Sequence, residues 1–152
     1  MAGFTNRGKY LMLGYVFRGT TLPTNFYVAL VTSAVAPAQD HNTLSQLTEI
    51  AAGNGYTTGG YQLTPGTTDF DVQTENDTTD LALVQIKDVI WTASGGSIPS
   101  SGGGARYAVL TDNNVTVGSR QIIAYWSLGS DRTVSSGQTL TLQNCELDLT
   151  EV

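Results

Sequence analysis

Asn25-Phe-Tyr-Val-Ala-Leu-Val-Thr32 decides the fold. Phe26, Val28 and Leu30 alternate with Tyr27, Ala29 and Val31, so the stretch reads as a strand apolar on both faces. A strand on the outside of a sandwich shows one polar face. This one therefore belongs in the middle of a sheet, covered from both sides. The rest of the chain must supply neighbours on its edges and cover for its faces.

Strands are what the composition favours. The 152 residues include 22 Thr, 11 Ser and 17 Gly, and only 13% are charged. Abundant Thr, Val, Tyr and Gly with few Lys or Glu suits strands joined by turns. Leu81–Thr92 is the next long candidate, with an apolar phase that slips at Lys87-Asp88 as a β-bulge would make it. Ala105–Thr111 and Gln121–Leu128 follow around the turn Asp112-Asn-Asn114, with Ile122, Ala124, Trp126 and Leu128 on one face. The last strand, Gln138–Thr150, slips phase near Asn144, which implies a bulge or bend. Glycines between 53 and 66 mark short edge strands or loops, and Ser94–Gly104 is a flexible loop. With no internal repeat, the expectation is one mainly β domain, a β-sandwich or small jelly-roll-like barrel.

Two helices are expected beside the strands. Thr5 can cap a helix over Asn6–Arg18 that ends at Gly19. Gly8 and Gly14 weaken it by about 1 kcal/mol each relative to Ala, so it needs packing, and they mark places where another backbone comes close. Thr43-Leu-Ser-Gln46 has the form of a capping box opening a short helix, with Leu44, Leu47 and Ala51 on one face and Gly53 at its end.

Charge divides the chain sharply. Arg7, Lys9 and Arg18 fall in the first twenty residues without an acid, whereas the remainder holds four bases and thirteen acids. Between those three bases runs Tyr10-Leu-Met-Leu-Gly-Tyr-Val-Phe17, apolar on every side. Such a helix is covered, either by its own core or by a partner. Residues 1–24 thus form an N-terminal helix or docking arm, and residues 25–152 the β-rich body. The residues expected to contact a partner are Arg7, Lys9, Tyr10, Tyr15, Phe17 and Arg18, with the aromatic rings as the energetic centre. A net charge of −6 argues against nucleic acid as the partner. No run of 18 apolar residues is present, so no membrane span is expected. Ala34-Val-Ala36 has the form of a signal-peptidase site, but the stretch before it is too long and is interrupted by Pro23 and Asn25. An ordinary buried strand followed by a loop fits it better.

Catalytic equipment is sparse. His41 is the single histidine and Cys145 the single cysteine, far apart in sequence. The lone cysteine fits a reducing compartment. There are too few His and Cys for an ordinary zinc site, and no G-x-S-x-G elbow. Asp69-Phe-Asp71 and Asp80 fall at EF-hand positions one, three and twelve, but Gln73 and Thr74 stand where an acid and the turn glycine belong. A solvated acidic loop is the better expectation, and no cofactor is implied. Trp91, Trp126 and the tyrosines could stack on sugars, but their alternation within strands favours the core.

Several segments in order carry a resemblance. They are Phe4-Thr-Asn6, Asn25–Ser33, Glu49-Ile-Ala-Ala-Gly-Asn-Gly-Tyr56, Trp91 before a glycine-rich loop and Arg106-Tyr-Ala-Val-Leu-Thr-Asp112. Ala124-Tyr-Trp126, Val134-Ser-Ser-Gly-Gln-Thr-Leu140 and the ending Leu147-Asp-Leu149 complete the set. Together they resemble a family of small virion structural proteins of tailed bacteriophages, whose members are labelled tail-fibre proteins or act as capsid decoration (cement) proteins. Thr67–Asp80 and Ser94–Gly104 match no motif of that family. The resemblance implies a non-enzymatic virion protein, assembled in the host cytoplasm as a homotrimer, whose partner is the major capsid protein of a phage shell. A tail, neck, baseplate or fibre position is the alternative, and a carbohydrate-binding module a more distant one. A fibre needs repeats or a coiled stalk, and this chain has neither, which favours a decoration protein bound outside the head.

Overall fold

In the computed structural model, residues 2–150 are described, so Met1, Glu151 and Val152, at the ends of the two expected regions, lie outside it. The elements are β1 (Ala2–Phe4), α1 (Asn6–Phe17), β2 (Phe26–Val31), β3 (Tyr61–Leu63), β4 (Val72–Asn76) and β5 (Leu81–Ile86). After them come β6 (Val89–Thr92), β7 (Ala105–Thr111), β8 (Ile122–Arg132), β9 (Thr139–Leu142) and β10 (Cys145–Thr150). All pairings are antiparallel. One sheet runs β1-β8-β7-β2-β3, with β10-β5-β4 and β6-β9 as smaller sheets. The chain is mainly β, with two layers enclosing one main core in the manner of a β-sandwich.

β2 lies between β7 and β3, and Val28, Ala29, Leu30 and Val31 are all buried. Val28 and Leu30 face the main core with Ala108, Leu110, Ala124 and Trp126. Ala29 and Val31 face the other way, onto Val109, Ile122, Leu44 and Leu47. The cover on that second face is the segment opened by Thr43. Its capping box forms, but the expected helix stops after one 3-10 turn, Leu44–Gln46. Leu47 is already extended, and β2 captures the chain through Thr32 N–H to Thr48 O and Ile50 N–H to Leu30 O. Two sheet bonds to a buried strand outweigh an isolated turn of helix.

The phase slip at Lys87-Asp88 is not a bulge, and of the bulge or bend expected near Asn144 it is the bend that forms. β6 pairs with β9 from Thr92↔Thr139 to Val89↔Leu142, and β5 with β10 from Ile86↔Cys145 to Leu81↔Thr150. Lys87-Asp88 and Gln143-Asn144 interrupt the two strands at the same level. A bulge adds a residue to one strand and shifts the register. Here each strand has two unpaired residues and the register resumes unchanged, so the ribbon is kinked. The kink is held by Gln143 Nε2 donating to Asp88 Oδ2 at 3.0 Å, with Asn144 at φ 52°. Its inner side chains Ile86, Val89, Trp91, Leu140, Leu142 and Leu147 close the main core from the second layer. Trp126 Nε1 donates to Glu146 O at 2.8 Å and ties β8 to β10. A register irregularity does occur between Leu110↔Ala124 and Thr111↔Ile122. It leaves Ile123 unpaired and facing the main core, while Ile122 joins the opposite cluster rather than the face of Ala124 and Trp126.

The acidic stretch 69–80 is not a loop. Val72–Asn76 pairs along β5 as an edge strand exposed at every position. Its extended backbone holds Asp71 and Asp80 apart, and Asp69 is engaged by Lys87 Nζ at 2.6 Å and by Thr64 N–H at 2.7 Å. An EF-hand loop cannot form there.

Candidate docking surface

α1 is fastened to the body at its first turn. Thr5 caps it: its Oγ1 accepts from Gly8 N–H at 2.8 Å and donates to Ile122 O at 2.5 Å. Thr5 N–H donates to Ile123 O, and Asn6 N–H to Gln39 O. Gly8 lies flat against β8, where a Cβ would sit 2.0 Å from Ile123 O, so only glycine fits. Leu11 is buried one turn on. Gly14 is different: its nearest neighbour is the side chain of Thr20, not another strand.

The helix therefore has an inner and an outer side, and the six residues expected to contact a partner divide between them. Arg7 turns inward, with Nε donating to Gln121 Oε1 and its guanidinium 5.0 Å from the Tyr10 ring centre. Tyr15 is half-buried, and burial raises its hydroxyl pKa, with the Asp112 charge adding to the shift and Arg7 opposing it. Lys9, Tyr10, Phe17 and Arg18 are exposed. Tyr10 and Phe17 keep 66% and 75% of their surface in solvent, and Leu13, at 58%, lies between them. Positions 10, 13 and 17 share one helical face, so these three make a single apolar ridge. Val16 is exposed beside it. Leu13 and Val16 were missed in the sequence because the run is apolar at nearly every position and hides which side faces out. Among the described residues neither Lys9 nor Arg18 has a carboxylate within 4 Å; the ion pair recorded there is Lys87–Asp69.

Behind the ridge lies an open apolar cleft of about 880 Å³. Leu11, Met12, Tyr15 and Val16 form its wall on α1, and Phe4, Leu110 and Ile123 its floor. The opposite wall is the inner face of β10-β5-β4, with Ala82, Val84, Leu147 and Leu149. The far end of that sheet projects beyond the core: Leu149 is half-exposed, and every residue from Asp71 to Asp80 is exposed.

The other candidate residues serve the fold. Trp91 and Trp126 are buried, which removes both as sugar-stacking platforms. His41 Nδ1 accepts from Ala38 N–H within its own loop. Cys145 is buried in β10, and burial, aided by Asp88, pushes its thiol up to about 12, so it stays protonated and unreactive at neutral pH. Glu49 accepts from Tyr56 O–H at 2.7 Å and from Gly59 N–H, while Tyr56 Oη accepts from Leu30 N–H. Burial and the Glu49 charge raise the Tyr56 pKa strongly, so it acts as a donor. Arg120, buried, donates to Gly59 O and Asn114 O and stacks 3.7 Å over Tyr27. Together these bonds pin the glycine-rich 53–60 loop to the sheet. Among the described residues no three His, Cys, Asp or Glu side chains converge as metal ligands.

No family model matches this chain, and neither does any curated protein or solved structure.

Proposed function

We propose that this chain is a non-enzymatic virion protein that binds the outside of a bacteriophage head as a decoration protein and stabilises the shell. The observation that carries the reading is the ridge Tyr10, Leu13, Phe17 with Lys9 and Arg18 at its flanks. It is a docking surface mounted on a fixed support. Burying each such side chain is worth about 1.5–3 kcal/mol, and anchoring by Thr5 and Gly8 means little ordering entropy is spent on contact. Aromatic anchors dominate interfaces, and the flanking bases favour an acidic, apolar protein surface. That surface is the coat shell or the neighbouring subunit of a homotrimer.

A density map of the intact particle tests this. The expected result is this fold on the outer head surface, with α1 against the coat or a neighbouring copy. Density at the tail, neck or baseplate would give the chain a different role in the particle. Its absence from the particle would remove the reading altogether.

A further inference from the structure

An open apolar cleft and an exposed apolar ridge lie side by side on α1, and the charges near them are opposite in sign. Lys9 and Arg18 border the ridge, and no acid occurs before Asp40. β4 lines the far side of the cleft with Gln73, Thr74 and Glu75, and the turns that flank β4 carry Asp71, Asp77 and Asp80, all exposed. Among the described residues none of these four carboxylates has a lysine or arginine within 4 Å. The dimensions agree as well. The 12-residue helix is about 18 Å long. The six residues of β5 span about 20 Å.

We propose that the cleft is filled by a second copy of this chain, whose α1 ridge lies along the inner face of β4 and β5. The inference rests on α1 being a docking surface and names its partner. Charge also selects the arrangement. Two α1 helices packed antiparallel across a two-fold would set Lys9 against the neighbour's Arg18, with no acid on either helix. Placing the ridge of one copy in the cleft of the next instead sets bases against acids. Such a contact is head-to-tail, and it closes into a ring if the rotation allows.

Sedimentation velocity on the free, full-length protein tests this with two charge swaps. One is Lys9→Glu with Arg18→Glu; the other is Asp71→Lys with Asp77→Lys. All four side chains are exposed, and a cooperative thermal melt verifies that each variant folds. Wild type should self-associate, less so as added salt shortens the screening length below about 10 Å. Each swap alone should weaken association by about tenfold or more, the factor that ~1.4 kcal/mol represents. An equal mixture of the two swaps should associate again into mixed pairs, because each then offers the other a complementary border. A three-membered ring cannot alternate the two, so the recovery is read as pairing and not as ring closure. A monomeric wild type, swaps that assemble like wild type, or a mixture that stays apart would each overturn the proposal. If wild type is monomeric while α1 variants still lose binding to undecorated heads, the docking surface stands and its partner is the shell.

Discussion

The centre of the large sheet and the end of the small one are built from similar side chains and meet opposite fates. Around β2, apolar residues on both faces are covered, by the kinked ribbon on one side and by Leu44 and Leu47 on the other. At the far end of β10-β5-β4, and along the outside of α1, residues as apolar as Leu13, Phe17 and Leu149 stay in solvent. The difference lies in what the chain brings to each place. β2 has neighbours on both edges and a loop delivered to its outer face by two backbone bonds. α1 is held along one side, by Thr5, Asn6, Arg7, Gly8, Leu11 and Tyr15, and among the described residues nothing covers its other side. Exposed apolar area gathered in one place, with charges of one sign at its border, marks a surface for contact.

Breaking the covered region should have the largest effect. Leu30→Ala, at a side chain with no exposed surface, should cost about 2–5 kcal/mol in chemical denaturation, from lost burial plus the cavity left behind. Gly8→Ala comes next. Its methyl group cannot be accommodated against Ile123 O, so the helix must lift from β8, at about 2–3 kcal/mol in the same measurement. Thr5→Ala removes the cap of α1 and its bond to Ile122 O, and should cost about 1–2 kcal/mol.

Asp69→Asn should cost about 1 kcal/mol, because Asp69 is buried while Lys87 keeps part of its side chain in solvent. The hydrogen bond from Lys87 lowers the folded-state pKa of Asp69, and Thr64 N–H adds to the shift. The contribution of Asp69 is therefore present above the ordinary carboxylate range and lost as pH falls through the lowered folded value. Lys87 is shifted the other way, raised chiefly by Asp69, so its share persists below the usual lysine pKa and disappears as pH rises past the folded one. Denaturation of wild type and Asp69→Asn should differ at neutral pH and converge in acid.

Measured at a concentration low enough to keep the protein monomeric, Tyr10→Ser with Phe17→Ser should shift stability least, by no more than about 0.5 kcal/mol, because in the single chain both side chains are already in solvent. A large loss of stability there would mean the ridge is covered by the chain itself, and would erase the contrast between the two regions.

How legible each region was follows from the same contrast. β2 and β7 could be read directly, since residues buried on both faces leave an unmistakable apolar run. α1 was legible at both ends because Thr5 and Gly19 are chemically suited to start and stop it. The kink was legible only in part: the slip near Asn144 reads equally as a bulge or a bend, and the bend forms, whereas the slip at Lys87-Asp88 reads as a bulge and is not one. Only the pairing of Ile86 with Cys145 and Val89 with Leu142 tells bulge from bend. β4 was missed because an edge strand exposed at every residue carries no apolar alternation. Within the docking surface, charge and aromatic content were visible in the sequence. The inward turn of Arg7 and Tyr15 was not, since it depends on Gln121 and the cleft, far along the chain.

Binding of wild type and Tyr10→Ser/Phe17→Ser to undecorated phage heads, followed by co-sedimentation, tests the central claim most directly. Substitution suits this better than deletion of residues 2–18, which would also remove Phe4, Thr5 and Leu11 from the body. The account predicts that wild type saturates the heads and that the equally stable double variant stays in the supernatant. Equal occupancy by both proteins would contradict it.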